Sequence, residues 1–312
     1  MRLAMGDEHA EADRRLPIGE EIFLDHVAHF VDDPQAAARA LARAGFAPTP
    51  VSVQVNPDSA GGPPRPTGTG NVTAMLDRGY LEVLFKTADT PLGREFDAAK
   101  ARYRGVHLAA FAVADADATH ARLARSGFAM QPLVNMQRPV GTATGEDIAA
   151  FSAVRLAPGE MPEGRVQALT HRTEQTVWQP RWLTHPNGAR GLVDIVIAEP
   201  DVAESAARFQ RFLGRDAVTN SFGPAFCLDR GRVQLITPAG LTELFPQLPV
   251  PGLPFMAAYG VLASLAPITA HLKDGGIWFE RRDDYVVAPF PDELGVGCWL
   301  FAETAAALPW RK

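Results

Sequence analysis

Cysteine is almost absent from this chain. Cys227 and Cys298 are the only two in 312 residues, far apart and outside any metal-type spacing. That excludes a disulfide framework and a thiolate metal cluster, and makes a reducing cytoplasm the expected location. No apolar run approaches the ~20 residues needed to cross a bilayer. Basic residues are the minority charge, 30 Lys and Arg against 36 Asp and Glu. This balance argues against nucleic acid or an anionic membrane as the main partner, since both call for basic patches. Residues 1–21 are expected to form a disordered tail; Met1 to Arg15 are polar and lack the apolar centre of a signal peptide. What remains is a soluble protein for a small-molecule substrate, compatible with a homodimer.

Repetition stands out against this background. Leu24-Asp25-His26-Val27-Ala28-His29-Phe30-Val31 is followed by Asp33-Pro34 and a stretch ending Ala44-Gly45-Phe46. Gly105-Val106-His107-Leu108-Ala109-Ala110-Phe111-Ala112-Val113 is followed by Asp115 and a stretch ending Ser126-Gly127-Phe128. Each reads as a strand, a helix with an Asp N-cap, and a glycine after the helix. Three strands follow the first helix, at 50–55, 71–76 and 80–85. Three follow the second, at 132–136, 148–155 and 165–170. Residues 56–70 are rich in Pro and Gly and are expected to be an irregular loop, either a lid or a surface insertion.

A third copy starts at Leu192 to Ile197, with Asp201 and Glu204 as a capping box and Gly214 closing the helix. Its last strand, Arg232-Val233-Gln234-Leu235-Ile236-Thr237, resembles Arg165-Val166-Gln167-Ala168-Leu169-Thr170. A weaker fourth copy covers Met256 to Ala302. A single βαβββ unit leaves one sheet face open, so the units should pair. The expected class is α+β, with tandem βαβββ units forming two domains, 22–174 and 190–305, of curved mixed sheets. The connection at 175–189, with two Trp and His185-Pro186-Asn187-Gly188, should pack against the first domain.

With Gly68-Thr69-Gly70-Asn71, Tyr80-Leu81-Glu82-Val83-Leu84 and His185-Pro186-Asn187-Gly188-Ala189 added to the two histidine strands, the chain resembles the vicinal oxygen chelate superfamily and its glyoxalase-like members. The resemblance covers residues 22 to 200 well and the remainder by pattern. It implies paired units curved around a divalent metal (Fe, Mn, Zn, Ni or Co), with ligands from the first and last strands of each unit. Carried over, these are His26, Glu82, His107 and Gln167. Gln167 departs from the family, where a carboxylate is common. Strand alternation read from the sequence turns His26, Glu82 and His107 to the concave side. It turns His29 to the helix side, where a buried partner is required.

Glu82 and His171 are the candidate catalytic residues. His171 and His185 are each either a general base or a linker anchor. Trp178, Trp182, Phe111 and Phe151 either wall a pocket or fill the core. The third and fourth units carry no first-strand histidine, with Leu192 in that position, so the second domain looks metal-free and degenerate. The resulting expectation is a metal-dependent glyoxalase-like enzyme (lyase, isomerase or dioxygenase) for a small oxygen-rich substrate. The alternative is a metal-free small-molecule-binding protein of the drug-sequestering kind.

Overall fold

The structure is a computed structural model that describes residues 14–56 and 62–311. The first unit comprises β1 (Ile22–Phe30), α1 (Pro34–Arg43), β2 (Ser52–Asn56), β3 (Arg65–Met75) and β4 (Tyr80–Lys86). Then come α2 (Pro91–Arg102) and the second unit: β5 (Gly105–Val113), α3 (Ala116–Arg125), β6 (Val134–Thr142), β7 (Gly145–Arg155) and β8 (Arg165–His171). These eight strands close on themselves in the order β1-β4-β3-β2-β6-β7-β8-β5, with β5 returning antiparallel to β1. Closure removes the open sheet edges that an isolated unit would expose. The ring has one thin seam, where β2 meets β6 through the single pair Val55 and Gln137.

After the short helix α4 (Glu174–Val177), the third unit runs through β9 (Gly191–Ala198), α5 (Val202–Leu213), β10 (Val218–Asn220), β11 (Gly223–Cys227) and β12 (Arg232–Ile236). Helix α6 (Pro238–Leu244) leads to the fourth unit: β13 (Phe255–Leu262), α7 (Leu265–Asp274), β14 (Glu280–Arg281), β15 (Tyr285–Pro289) and β16 (Cys298–Ala302). Strands β9 and β13 pair as β1 and β5 do, and no pairing joins β10 to β14. This second ring therefore stays open. The C-terminal segment sits against it, with Leu308 and Trp310 fully buried. The Trp310 indole donates to Asp194 at 2.6 Å, and the Arg311 Nε donates to the same carboxylate at 2.9 Å.

Local chemistry explains the elements. Asp33, Asp115 and Asp201 each accept backbone N–H bonds at a helix start, as their positions require. The capping box at Asp201 is incomplete, because Glu204 turns to Arg208 instead. Gly214 takes the left-handed C-cap conformation (φ 64°) that favours glycine. In the segment after β8, Trp178 donates to the Leu76 carbonyl at 3.1 Å and Asn187 to that of Ala44 at 2.8 Å.

Three expectations need correction. The proposed loop at 56–70 is irregular only in part, since residues 65–70 extend β3. Glycine is what lets them: a Cβ on Gly70 would stand 2.5 Å from the Phe85 ring and 2.8 Å from the Ser52 carbonyl. Residues 57–61 of that loop lie outside the described residues. So do residues 1–13 of the expected tail, but 14–21, although mostly exposed, are hydrogen-bonded to the rest of the chain, with the Arg14 carbonyl accepting from Arg230 and that of Glu20 from Arg215. Finally, the sequence reading has no helix at 91–102. Helix α2 starts at a Thr90 N-cap followed by Pro91 and buries Phe96 completely. The Phe96 ring stacks on Phe30 at 4.5 Å among Ala28, Leu84, Leu108 and Leu169, and so plugs the barrel. That burial contributes about 2–3 kcal/mol.

Candidate functional site: the interior of the first barrel

Above the Phe30–Phe96 layer the interior turns polar. It is lined by His26, Tyr80, Glu82, Arg138, Gln167 and His171, with Asn71, Arg155 and Arg165 alongside, and encloses about 30 Å³ of free space. Two irregularities in the pairing of β1 with β5 decide which side chains enter. Leu24 pairs with Phe111 and His26 with Ala110, which leaves Asp25 as an extra residue. Ala28 pairs with Leu108 and His29 with Val106, which leaves His107 as an extra residue on the other strand. Such bulges re-aim side chains.

The parallel pairs extend the comparison. His26 stands beside Tyr80 and Ala28 beside Glu82, while Leu108 stands beside Arg165 and Ala110 beside Gln167. In the folded repeat, therefore, His26 corresponds to Leu108 and Asp25 to His107. Gln167 does stand where Glu82 stands. The sequence alignment of the two histidines is off by one residue, and a one-residue slip moves a side chain to the other face. The same register gives Asp194, not Leu192, the place of His26 in the third unit.

His107 consequently leaves the candidate ligand set. Its Nε2 lies 2.7 Å from the Tyr103 carbonyl and its ring stacks on Tyr103 at 3.9 Å. Burial, with Arg102 and Arg165 nearby, pushes its pKa down to about 4 against the opposing Tyr103 bond. His29 finds the buried partners its position demands: Leu294 O at 2.9 Å from Nδ1 and the Tyr259 hydroxyl at 2.8 Å from Nε2. His185 anchors the linker, accepting from the Ala47 N–H on Nδ1 and donating from Nε2 to the Met75 carbonyl at 2.6 Å. Phe111 packs outside the barrel on Phe212, whereas Phe151 lines the interior.

His26, Glu82, His171 and the unforeseen Asp25 do come together. Asp25 is wholly buried between two imidazoles: His26 Nδ1 lies 2.7 Å from its Oδ2 and His171 Nε2 3.1 Å from its Oδ1. Burial alone would raise this carboxyl's pKa, but the charge and hydrogen bonds of His171 and His26 outweigh it and hold it well below the usual range. His26 stacks on Tyr80 at 4.3 Å, and its Nε2 stands 3.5 Å from Glu82 Oε2. Glu82 Oε1 accepts from Asn71 Nδ2 at 2.6 Å. Burial, then the Asp25 and Glu82 charges, raise the Tyr80 hydroxyl well above its ordinary pKa.

A resident metal fits this donor set poorly. The four first- and last-strand positions hold an imidazole, a carboxylate, the alkyl side chain of Leu108 and the neutral amide of Gln167. A bound divalent ion ordinarily takes at least three protein donors, and among the described residues no group of three His, Cys, Asp or Glu side chains is arranged to hold one. Sequence reasoning also missed Asp25 and Arg138. Asp25 is hidden by the bulge. Arg138 is hidden because the strand reading stopped at Met136, although Arg138 follows at the period-two spacing that puts it on the same face.

A family model described as a glyoxalase-like domain matches residues 24–213, more than half of the chain. No curated protein matches. Among solved structures, a hypothetical protein from Staphylococcus aureus aligns over 90% of this chain and 98% of its own, with a TM-score of 0.62 and 9% identity. The Mn(II)-bound glyoxalase from Novosphingobium aromaticivorans aligns over 90% and 82%, with a TM-score of 0.50 and 15% identity. A fusion of a xylose isomerase-like TIM barrel with a 4-hydroxyphenylpyruvate dioxygenase aligns over 91% of this chain and 49% of its own, with a TM-score of 0.51 and 13% identity. At these identities the structural likeness speaks for the fold, while the family match covers both units of the first barrel: the chain belongs to the glyoxalase-like domain family.

Proposed function

We propose that the first barrel is the site of a glyoxalase-like isomerase or lyase that works by proton transfer on a small oxygen-rich substrate. The observation that carries this reading is the Asp25–His26–Glu82 line in an enclosed interior. With its Nδ1–H donated to Asp25, His26 can present the lone pair of Nε2 to the cavity, which is the tautomer a general base needs. A substrate C–H beside a carbonyl gives its proton to Nε2, and the carbon's electron pair moves onto the carbonyl oxygen. Glu82, within 3.5 Å of Nε2, can receive that proton and return it to a neighbouring atom. Asp25 stabilises the imidazolium in between. His171 acts through Asp25 and is a positioning residue.

The test is hydrogen exchange. Small hydroxy-carbonyl compounds incubated with the protein in D2O should incorporate deuterium beside the carbonyl, followed by NMR. His26→Ala should slow this about 10²–10⁴-fold. Incorporation equal in the parent and the variant sinks the proposal.

A second, metal-dependent reading is favoured by two observations. His26 Nε2 and Glu82 Oε2 are spaced as two ligands of one ion would be, and the buried Gln167 Oε1 lacks a partner. Near-stoichiometric metal in the purified protein, lost in both His26→Ala and Glu82→Gln, would select that reading.

A further inference from the structure

Arg138 reaches into the barrel from β6 with 8% of its surface exposed. Among the described residues no hydrogen bond or ion pair reaches it, and its Nε is buried without an acceptor. Burial lowers its pKa; the Tyr80 and Glu82 charges oppose that without either group closing an ion pair. The neighbouring arginines differ: Arg165 stands 3.8 Å from Glu95 and over the Phe30 ring, and Arg155 donates to Met136 Sδ at 3.2 Å although its Nε, too, is buried without an acceptor. Of the three guanidinium groups in the cavity lining, Arg138 is thus the one that no carboxylate pairs among the described residues and no acceptor of any kind reaches; Glu82 lines the same cavity and Asp25 lies behind it between His26 and His171. A buried charge without a partner is costly, and a fold retains one where a ligand completes it.

The space around Arg138 sets the shape of that ligand. The interior cavity, at about 30 Å³, takes a head group and little else. Arg138 and Val177 also line a recess of about 850 Å³ over the β2–β6 seam. Its other walls include Trp182 and the exposed apolar side chains of Val51, Val53 and Ile148. A hydrophobic recess ending on an unpaired guanidinium suits an anion with an apolar body.

Resting on the reading that the barrel interior is the functional site, we infer that its substrates are small organic anions. The carboxylate, or an equivalent oxyanion, pairs with Arg138 beside Glu82 and His26, and the apolar body lies in the seam between β2 and β6. This class of compound explains both the buried guanidinium left without an acceptor and the apolar walls at the mouth.

Calorimetric titration with phenylacetate, 2-phenylethanol and acetate tests the assignment on the full chain. Phenylacetate should bind at least about tenfold tighter than either of the others, as a charge-assisted hydrogen bond and an apolar contact each predict. Arg138→Met should abolish the preference of phenylacetate over the alcohol, and Arg138→Lys should restore part of it. Both variants should fold, because Arg138 leaves no partner behind. Ile148→Ser should weaken phenylacetate and leave acetate unchanged. Equal binding of the alcohol, a preference that survives Arg138→Met, or no binding by any of the three overturns the inference. His26→Ala separates it from the catalytic proposal: that variant should keep the anion preference while losing deuterium exchange. A parent protein that prefers the anion but shows no exchange sinks the catalytic reading alone.

Discussion

His29 should make the stability of the protein depend on pH well above the carboxylate range. Its ring is wholly buried, and the proton order around it is fixed by its partners. The Trp299 indole donates to the Tyr259 oxygen at 2.6 Å, which leaves the Tyr259 hydroxyl to donate to His29 Nε2, and Nδ1–H donates to Leu294 O. This tautomer is neutral, with no site for a second proton. Burial, reinforced by nearby His107 and opposed by the Leu294 bond, lowers the His29 pKa from 6.5 to about 4. Between those values the unfolded chain binds a proton that the folded protein excludes. Stability contributed by His29 is therefore complete above pH 6.5 and falls as pH drops towards 4. At ~1.4 kcal/mol per pH unit the loss is about 3 kcal/mol. His107, also lowered to about 4, adds a loss of similar size. Urea unfolding across this window should show a steep decline for the parent and a shallower one for His29→Gln, in which His107 and His185, whose pKa burial also lowers, still contribute. The variant should also lose about 1–3 kcal/mol at neutral pH, because the Tyr259 hydroxyl and the Leu294 carbonyl lose their partner. Identical slopes in parent and variant would refute the neutral, excluded-proton account of His29.

Two further outcomes follow from buried groups in the second half of the chain. Trp310→Ala empties a fully buried indole site and removes a hydrogen bond to Asp194, so it should cost about 3–5 kcal/mol by urea unfolding; a loss below about 1 kcal/mol would contradict the packing described for the C-terminal segment. Glu199 is 1% exposed; burial and then the Glu163 carboxylate push its pKa well above the ordinary value, so it stabilises the fold when protonated and that contribution is lost as pH rises through the folded value. Thermal unfolding should show Glu199→Gln gaining on the parent from about pH 4.5 up to about pH 8 and levelling off above it, and a constant difference would speak against a protonated Glu199.

The fourfold βαβββ plan is legible in the sequence because its punctuation is chemical: Asp33, Asp115 and Asp201 cap helices, and Gly214 ends one. The inward face of β4 is equally legible, since Tyr80, Glu82 and Leu84 alternate with aliphatic residues on an unbroken strand. The first strands are harder. A bulge inserts one residue without leaving a compositional mark, so His26 and His107 look equivalent on paper while the pairing register matches His26 to Leu108. Arg138 is obscured by Pro139 and Gly141, which read as the end of a strand that in fact continues to Thr142. Helix α2 shows only a Thr90-Pro91 start, because a helix that contributes mainly Phe96 to a plug needs little apolar periodicity.

The bulge at Asp25 and its counterpart at His107 have a consequence for recognition. The two units of the first barrel repeat one strand plan, yet the chemistry inside differs on the two sides: Asp25, His26 and Glu82 come from one copy, and the guanidinium groups, Gln167 and His171 from the other. A guest in such a chamber meets unlike walls to its left and right. Its two end-to-end orientations are therefore not equivalent, and the displaced residues on β1 and β5 help to set the difference.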